Sequence, residues 1–126
     1  MADAKHAVDV SARVTYLADQ SDVEANRYVF AYTITITNLG TVAARLISRH
    51  WIITDSSDVV QEVRGDGVVG EQPLLQPRQS FTYTSGAAIA TPAGTMRGSY
   101  HMRAADGVEF DAPIPEFTLA MPRTLH

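Results

Sequence analysis

The sequence predicts an all-β domain, an immunoglobulin or fibronectin type III-like β-sandwich of about seven strands. Three observations predict it. Apolar residues recur with period two almost everywhere, turn residues punctuate the chain at short regular intervals, and no window shows helical amphipathicity. A parallel sheet would need crossover helices between its strands, and the pattern supplies none.

Val8, Val10, Ala12, Val14 and Tyr16 alternate with Asp9, Ser11, Arg13 and Thr15, which gives a first strand. Residues 17–25 are acidic and polar and read as a loop. From 27 to 38 the chain reads RYVFAYTITITN, with Tyr28, Phe30, Tyr32, Ile34 and Ile36 on one face. Thr33, Thr35 and Thr37 fall on the other, so this strand turns its aromatic and β-branched face to a core. Asn38-Leu39-Gly40-Thr41 supplies turn residues. Residues 44–54 carry apolar side chains of both parities: Ile47, Trp51 and Ile53 one way, Leu46 and Ile52 the other, interrupted by Arg49 and His50. That reads as a central strand with its second face partly covered.

Asp55-Ser56-Ser57-Asp58 is a turn and 59–64 a strand, followed by the glycine-rich residues 65–70 and a Pro73-Leu74-Leu75 segment ending at Pro77. Phe81 and Tyr83 belong to a strand that ends at Ser85-Gly86. Thr91-Pro92-Ala93-Gly94 turns the chain into Met96, Gly98, Tyr100 and Met102, and Asp106-Gly107 makes the next tight turn. Residues 108–119 close the domain, with Pro113 and Pro115 confining that strand to an edge or a bulge. The whole chain, 1–126, reads as one domain with an ordered core over about 8–120 and frayed tails.

With 126 residues, 45% hydrophobic and 19% charged, the chain can bury one core without a metal or disulfide. The absence of cysteine excludes thiol nucleophiles, disulfides, zinc–thiolate sites and iron–sulfur clusters. A net charge of −4 argues against broad nucleic-acid binding. No stretch approaches the ~20 apolar residues that cross a bilayer. Charges break every apolar run in the first residues, unlike a signal peptide, so no membrane insertion is expected and the expected location is the cytoplasm.

Gly65-Asp66-Gly67-Val68-Val69-Gly70 matches G-x-G-x-x-G. In a dinucleotide-binding fold that motif joins a strand to a helix whose amino terminus holds a pyrophosphate. Here Pro73 and Pro77 follow, and no helix of useful length can form. Asp66 and Glu71 also place negative charge where a phosphate would sit, offset only by Arg64. A loop or bulge whose glycines take positive φ is the expected structure. A nest of backbone amides that binds a nucleotide or pyrophosphate without a helix is the alternative.

Other chemistry is sparse. His6, His50, His101 and His126 show no metal-ligating spacing, and Asp55 and Asp58 sit where a turn favours Asp. Ser48, Ser80, Ser85 and Ser99 lack a nucleophile elbow, and Glu109 and Asp111 share a strand face before Pro113. Arg49, Arg97 and Arg103 would join His50 and His101 in a small basic patch if their strands are neighbours. No catalytic group, metal site or cofactor is expected.

Ser48-Arg49-His50-Trp51, the run from Val63 to Pro73, Phe81-Thr82-Tyr83-Thr84-Ser85-Gly86, Gly94-Thr95-Met96-Arg97-Gly98-Ser99-Tyr100 and Ile114-Pro115-Glu116-Phe117 together resemble the signature of the ApaG family. The resemblance runs from about Val8 to Pro122, with one departure at Arg78, where the family would show glycine. It implies a fibronectin type III-like sandwich and little about chemistry, with no set of catalytic residues to carry over. Bacterial members are associated with cobalt resistance and magnesium efflux, and related domains occur in eukaryotic F-box proteins and a polymerase-delta-interacting protein. The expected function is therefore a non-catalytic module whose sheet edge or glycine loop (Arg64, Gly65, Asp66, Gly67, Gly70 and Glu71) contacts a protein partner. Alternatives are a nucleotide or pyrophosphate binder using that loop and a direct binder of divalent cations. Monomer and edge-paired homodimer are both compatible with the composition.

Overall fold

The computed structural model describes residues 5–122. Eight strands follow in order: β1 Val8–Tyr16, β2 Tyr28–Asn38, β3 Ala44–Asp55, β4 Val60–Asp66, β5 Leu74–Leu75, β6 Ser80–Ile89, β7 Ala93–Ala104 and β8 Glu109–Ala120. One 3-10 turn, Ala18–Gln20, interrupts the loop after β1. The strands form two antiparallel sheets, β1-β2-β6 and β4-β3-β7-β8, with β5 joining the second beside β4 on the edge of β3. This is the predicted immunoglobulin or fibronectin type III-like sandwich, with the two-residue β5 as an addition. No helix among the described residues is long and apolar enough to cross a membrane.

The core lies between the sheets. The β2 row Phe30, Ile34 and Ile36 is fully buried, and Tyr28 and Tyr32 nearly so. Each such side chain contributes ~1.5–3 kcal/mol of burial. Across it, Trp51 meets Tyr32 and Phe117 edge-on, with ring centroids 5.3 and 5.8 Å apart. Its indole Nε1 is buried without an acceptor among the described residues. On the opposite face of β2, Thr33, Thr35 and Thr37 bond to Thr84, Thr82 and Ser80 of β6 at 2.8, 3.1 and 2.7 Å. These hydroxyl pairs occupy the positions that alternation assigned to solvent.

Several sequence expectations need correction. Strict alternation put Leu46 and Trp51 on opposite faces, yet both are buried in the same core. The cause is a bulge at Ile47: Leu46 faces Met102 while Ser48 faces His101, so one extra residue resets the parity. Gly86 does not end β6, because it pairs with Ala31 and the strand runs on to Ile89. Gly65 and Asp66 belong to β4 and not to the loop. Just before Val8, Leu39 N donates to Ala7 O at 2.8 Å, and His6 Nε2 lies 2.9 Å from Asp106 Oδ2. Further out, residues 1–4 and 123–126, including His126, lie outside the described residues.

Prolines shape one edge. β8 ends the second sheet, and its register against β7 slips between Met96 and Gly98, opposite Pro115 and Glu116. Asn38 shapes the turn after β2. Buried at 1% exposure, its Nδ2 donates to Val42 O and Leu75 O while its Oδ1 accepts from Gly40 N.

Candidate functional site

The glycine-rich segment is a stapled turn on the rim of the second sheet. Val68 N donates to Glu71 O at 2.8 Å and Glu71 N to Val68 O at 2.9 Å, closing a two-residue hairpin. Its central residues, Val69 and Gly70, both have positive φ (44° and 81°), as a type I′ turn requires. Gly67 is left-handed too, at φ 62°, and donates its N–H to Ile47 O at 2.8 Å. Glycine at 65 has another reason. A Cβ there would stand 2.7 Å from the Arg49 guanidinium, which lies against it.

Arg49 and Gln72 hold this turn to β3. Arg49 Nη1 donates to the carbonyls of Asp66 and Gly67 at 3.0 and 2.9 Å, and Gln72 Nε2 donates to Ile47 O at 2.8 Å. Val68 anchors the turn from below, with no exposure at all, whereas Val69 at the tip is 55% exposed. A β-branched residue at positive φ is strained, and strain of this kind gathers where a surface is used.

The outer face of the second sheet carries the remaining candidates. Strands β3 and β7 are neighbours, so His50 and His101 share that face, with Ser48 opposite His101 and Ser99 opposite His50. Arg97 lies opposite Ile52 on the same face. Arg49 does not join them: it stands opposite the buried Tyr100, on the inward parity. The face is not basic. His50 Nε2 is 2.9 Å from Glu62 Oε1, and His101 sits between Asp111 Oδ1 at 2.9 Å and Glu109 Oε1 at 2.8 Å. The hydrogen bonds to Asp111 and then Glu109 raise the His101 imidazole above its ordinary value, and the His101 bond in turn lowers Glu109. A shallow depression of about 510 Å³ lies among Ser48, His50, Arg64, Asp66, Ser99 and His101. Among the described residues no three His, Asp or Glu side chains converge to hold a metal ion.

Between the sheets, behind Arg49, Tyr83 of β6 and Tyr100 of β7 share a hydroxyl–hydroxyl hydrogen bond of 2.5 Å. Burial pushes the Tyr83 hydroxyl up to about 12, and burial raises Tyr100 still further.

Glu62, which the sequence did not single out, joins Arg64 on the rim. Glu62 and Arg64 lie two apart on β4 and so share a face, their charged groups 3.9 Å apart. Val59, Val60, Val63, Val69 and Leu74 are five of the eight exposed large apolar residues among those described, and all lie between 59 and 74. A count of valines facing outward in this stretch is the signal that would have found them.

Comparison with known proteins places these features in a family. Residues 18–104 match the ApaG domain model. The ApaG protein of Thiobacillus denitrificans is 69% identical over 97% of this chain and 96% of its own length. That of Nitrosospira multiformis is 62% identical over the same shares. A crystal structure of a Bordetella pertussis protein carrying the name ApaA superposes with a TM-score of 0.92, at 56% identity, covering 95% of this chain and 98% of that one. With the domain model matching most of the chain and such relatives covering nearly all of it, this chain belongs to the ApaG family.

Proposed function

We propose that the chain is a non-catalytic interaction module that binds a protein partner along the rim formed by β4, the 67–71 turn and β5. The observation that carries this reading is the exposure of β4: every residue from Val60 to Arg64 is solvent-exposed, and Val59, Val60, Val63 and Val69 present apolar side chains there. Singly scattered apolar residues need no explanation, but a run of them on one unpaired sheet edge is the arrangement that an added strand uses. Arg64, Gly65, Asp66, Gly67, Gly70 and Glu71 lie in this rim, so the loop and the edge are one surface. On this reading the links to cobalt resistance and magnesium efflux run through the partner and not through a metal held by this chain.

The test is affinity capture from cell extract with the wild type, a Val60→Lys/Val63→Lys variant and a Leu39→Lys control, Leu39 being exposed elsewhere. Proteins retained by the wild type and the control should be lost by the double variant. An identical set on all three would remove the rim from consideration.

A further inference from the structure

We infer that the β4 edge pairs with the β4 edge of a second copy of this chain, antiparallel and centred on Val63. This rests on the rim being a binding surface and names one occupant of it.

The backbone supplies the first constraint. Asp55 N donates to Val59 O at 3.0 Å and Gly67 N to Ile47 O at 2.8 Å, one bond at each end of the β3–β4 hairpin. Both fall in the register that sets Trp51 opposite Val63. Antiparallel ladder bonds come at every second residue. Gln61, Val63 and Gly65 therefore turn their N–H and C=O groups toward β3, while Val60, Glu62, Arg64 and Asp66 turn theirs to the outside. A strand added to this edge must meet those four residues with outward groups of its own.

The charges supply the second. With Val63 on the two-fold axis, Glu62 of each copy faces Arg64 of the other, Val60 faces Asp66, and the strand pairs along its whole length. Moving the register one step either way sets Glu62 against Glu62 or Arg64 against Arg64, which is unfavourable for directly opposed residues. Outward main-chain groups thus require the two-fold axis to pass through a residue, and side-chain charge selects Val63 over its neighbours. Arg64 is available for it: among the described residues its nearest acid is Glu62 at 3.9 Å, and its side chain is 72% exposed. The strand holds no proline, in contrast to β8 at the other end of the sheet, where Pro113, Pro115 and a bulge spoil the ladder. A single short strand pair buries less than the ~1,200 Å² of a stable interface, so the dimer is weak and reversible.

Sedimentation velocity from micromolar to millimolar protein tests the pairing. The wild type should move from monomer toward dimer as concentration rises. Glu62→Arg alone and Arg64→Glu alone, each placing like charges opposite, should weaken self-association about tenfold. The double variant Glu62→Arg/Arg64→Glu should restore it, and an equimolar mixture of the two single variants should associate more tightly than either does alone. Circular dichroism checks that each variant is folded. A wild type that stays monomeric throughout, or a double variant that remains as weak as the singles, overturns the inference. The wider reading fails separately, if captured partners are indifferent to Val60→Lys/Val63→Lys.

Discussion

Four described residues other than glycine hold a left-handed backbone: Asn26, Asp58, Val69 and Arg78. Asn and Asp tolerate that region because their short polar side chains bond locally, but arginine and valine gain nothing there. Arg78, at φ 71°, follows Pro77 in the turn that leads into β6, and its N–H donates to the buried Asn38 carbonyl at 2.7 Å. The turn is therefore fixed from outside, and the side chain must accept the conformation. This gives a physical reason for the glycine that the family resemblance calls for at this position. Arg78→Gly should stabilise the fold by about 0.5–1 kcal/mol, the relief of left-handed strain less the greater chain entropy of glycine. Urea unfolding at neutral pH measures it. A midpoint that falls would mean that the arginine side chain contributes more than its backbone costs.

At the scale of the element, β2 was legible in full because its one buried face is written as strict alternation. β3 was not. Its bulge at Ile47 depends on how β7 pairs with it, and nothing local to 44–54 marks the extra residue. The end of β6 was misplaced for a related reason: Gly86 is a turn signal in isolation, but pairing with Ala31 carries the strand past it. The glycine motif was read correctly as a turn and incompletely as to why. Gly67 and Gly70 supply positive φ, whereas Gly65 is extended and small because Arg49 lies on it. The same staples bear on the nucleotide alternative. The N–H groups of Gly67, Val68 and Glu71 already donate to chain carbonyls, and a phosphate would have to displace them. Millimolar ATP, GTP or pyrophosphate should leave the backbone amide resonances of residues 65–70 unmoved. Saturable shifts confined to those amides would restore the phosphate reading.

Over the whole molecule, what the sequence withheld is adjacency. It named His50 and His101 without showing that β3 and β7 are neighbours, and it missed that β4 and β8 bring Glu62, Glu109 and Asp111 into hydrogen bonds with them. Nor could it show that Tyr83 and Tyr100 join the two sheets, one from β6 and one from β7. That bond ties the sandwich to pH. The Tyr83 hydroxyl ionises near 10 when unfolded and at about 12 when folded, chiefly because burial disfavours the phenolate. The folded state therefore holds more protons than the unfolded state between those values. Stability is fully present below pH 10 and declines as pH rises through about 12, by on the order of 2–3 kcal/mol for Tyr83 alone. Tyr100, raised in the same direction, steepens the decline. Tyr83→Phe should cost about 1–3 kcal/mol at pH 8, since it leaves the Tyr100 hydroxyl buried without this partner. The same variant should lose stability less steeply between pH 10 and 12, by roughly one proton per molecule. Urea unfolding of both proteins across that range separates the two effects. Parallel pH profiles would show that the Tyr83 proton is not what couples the sheets to alkaline unfolding.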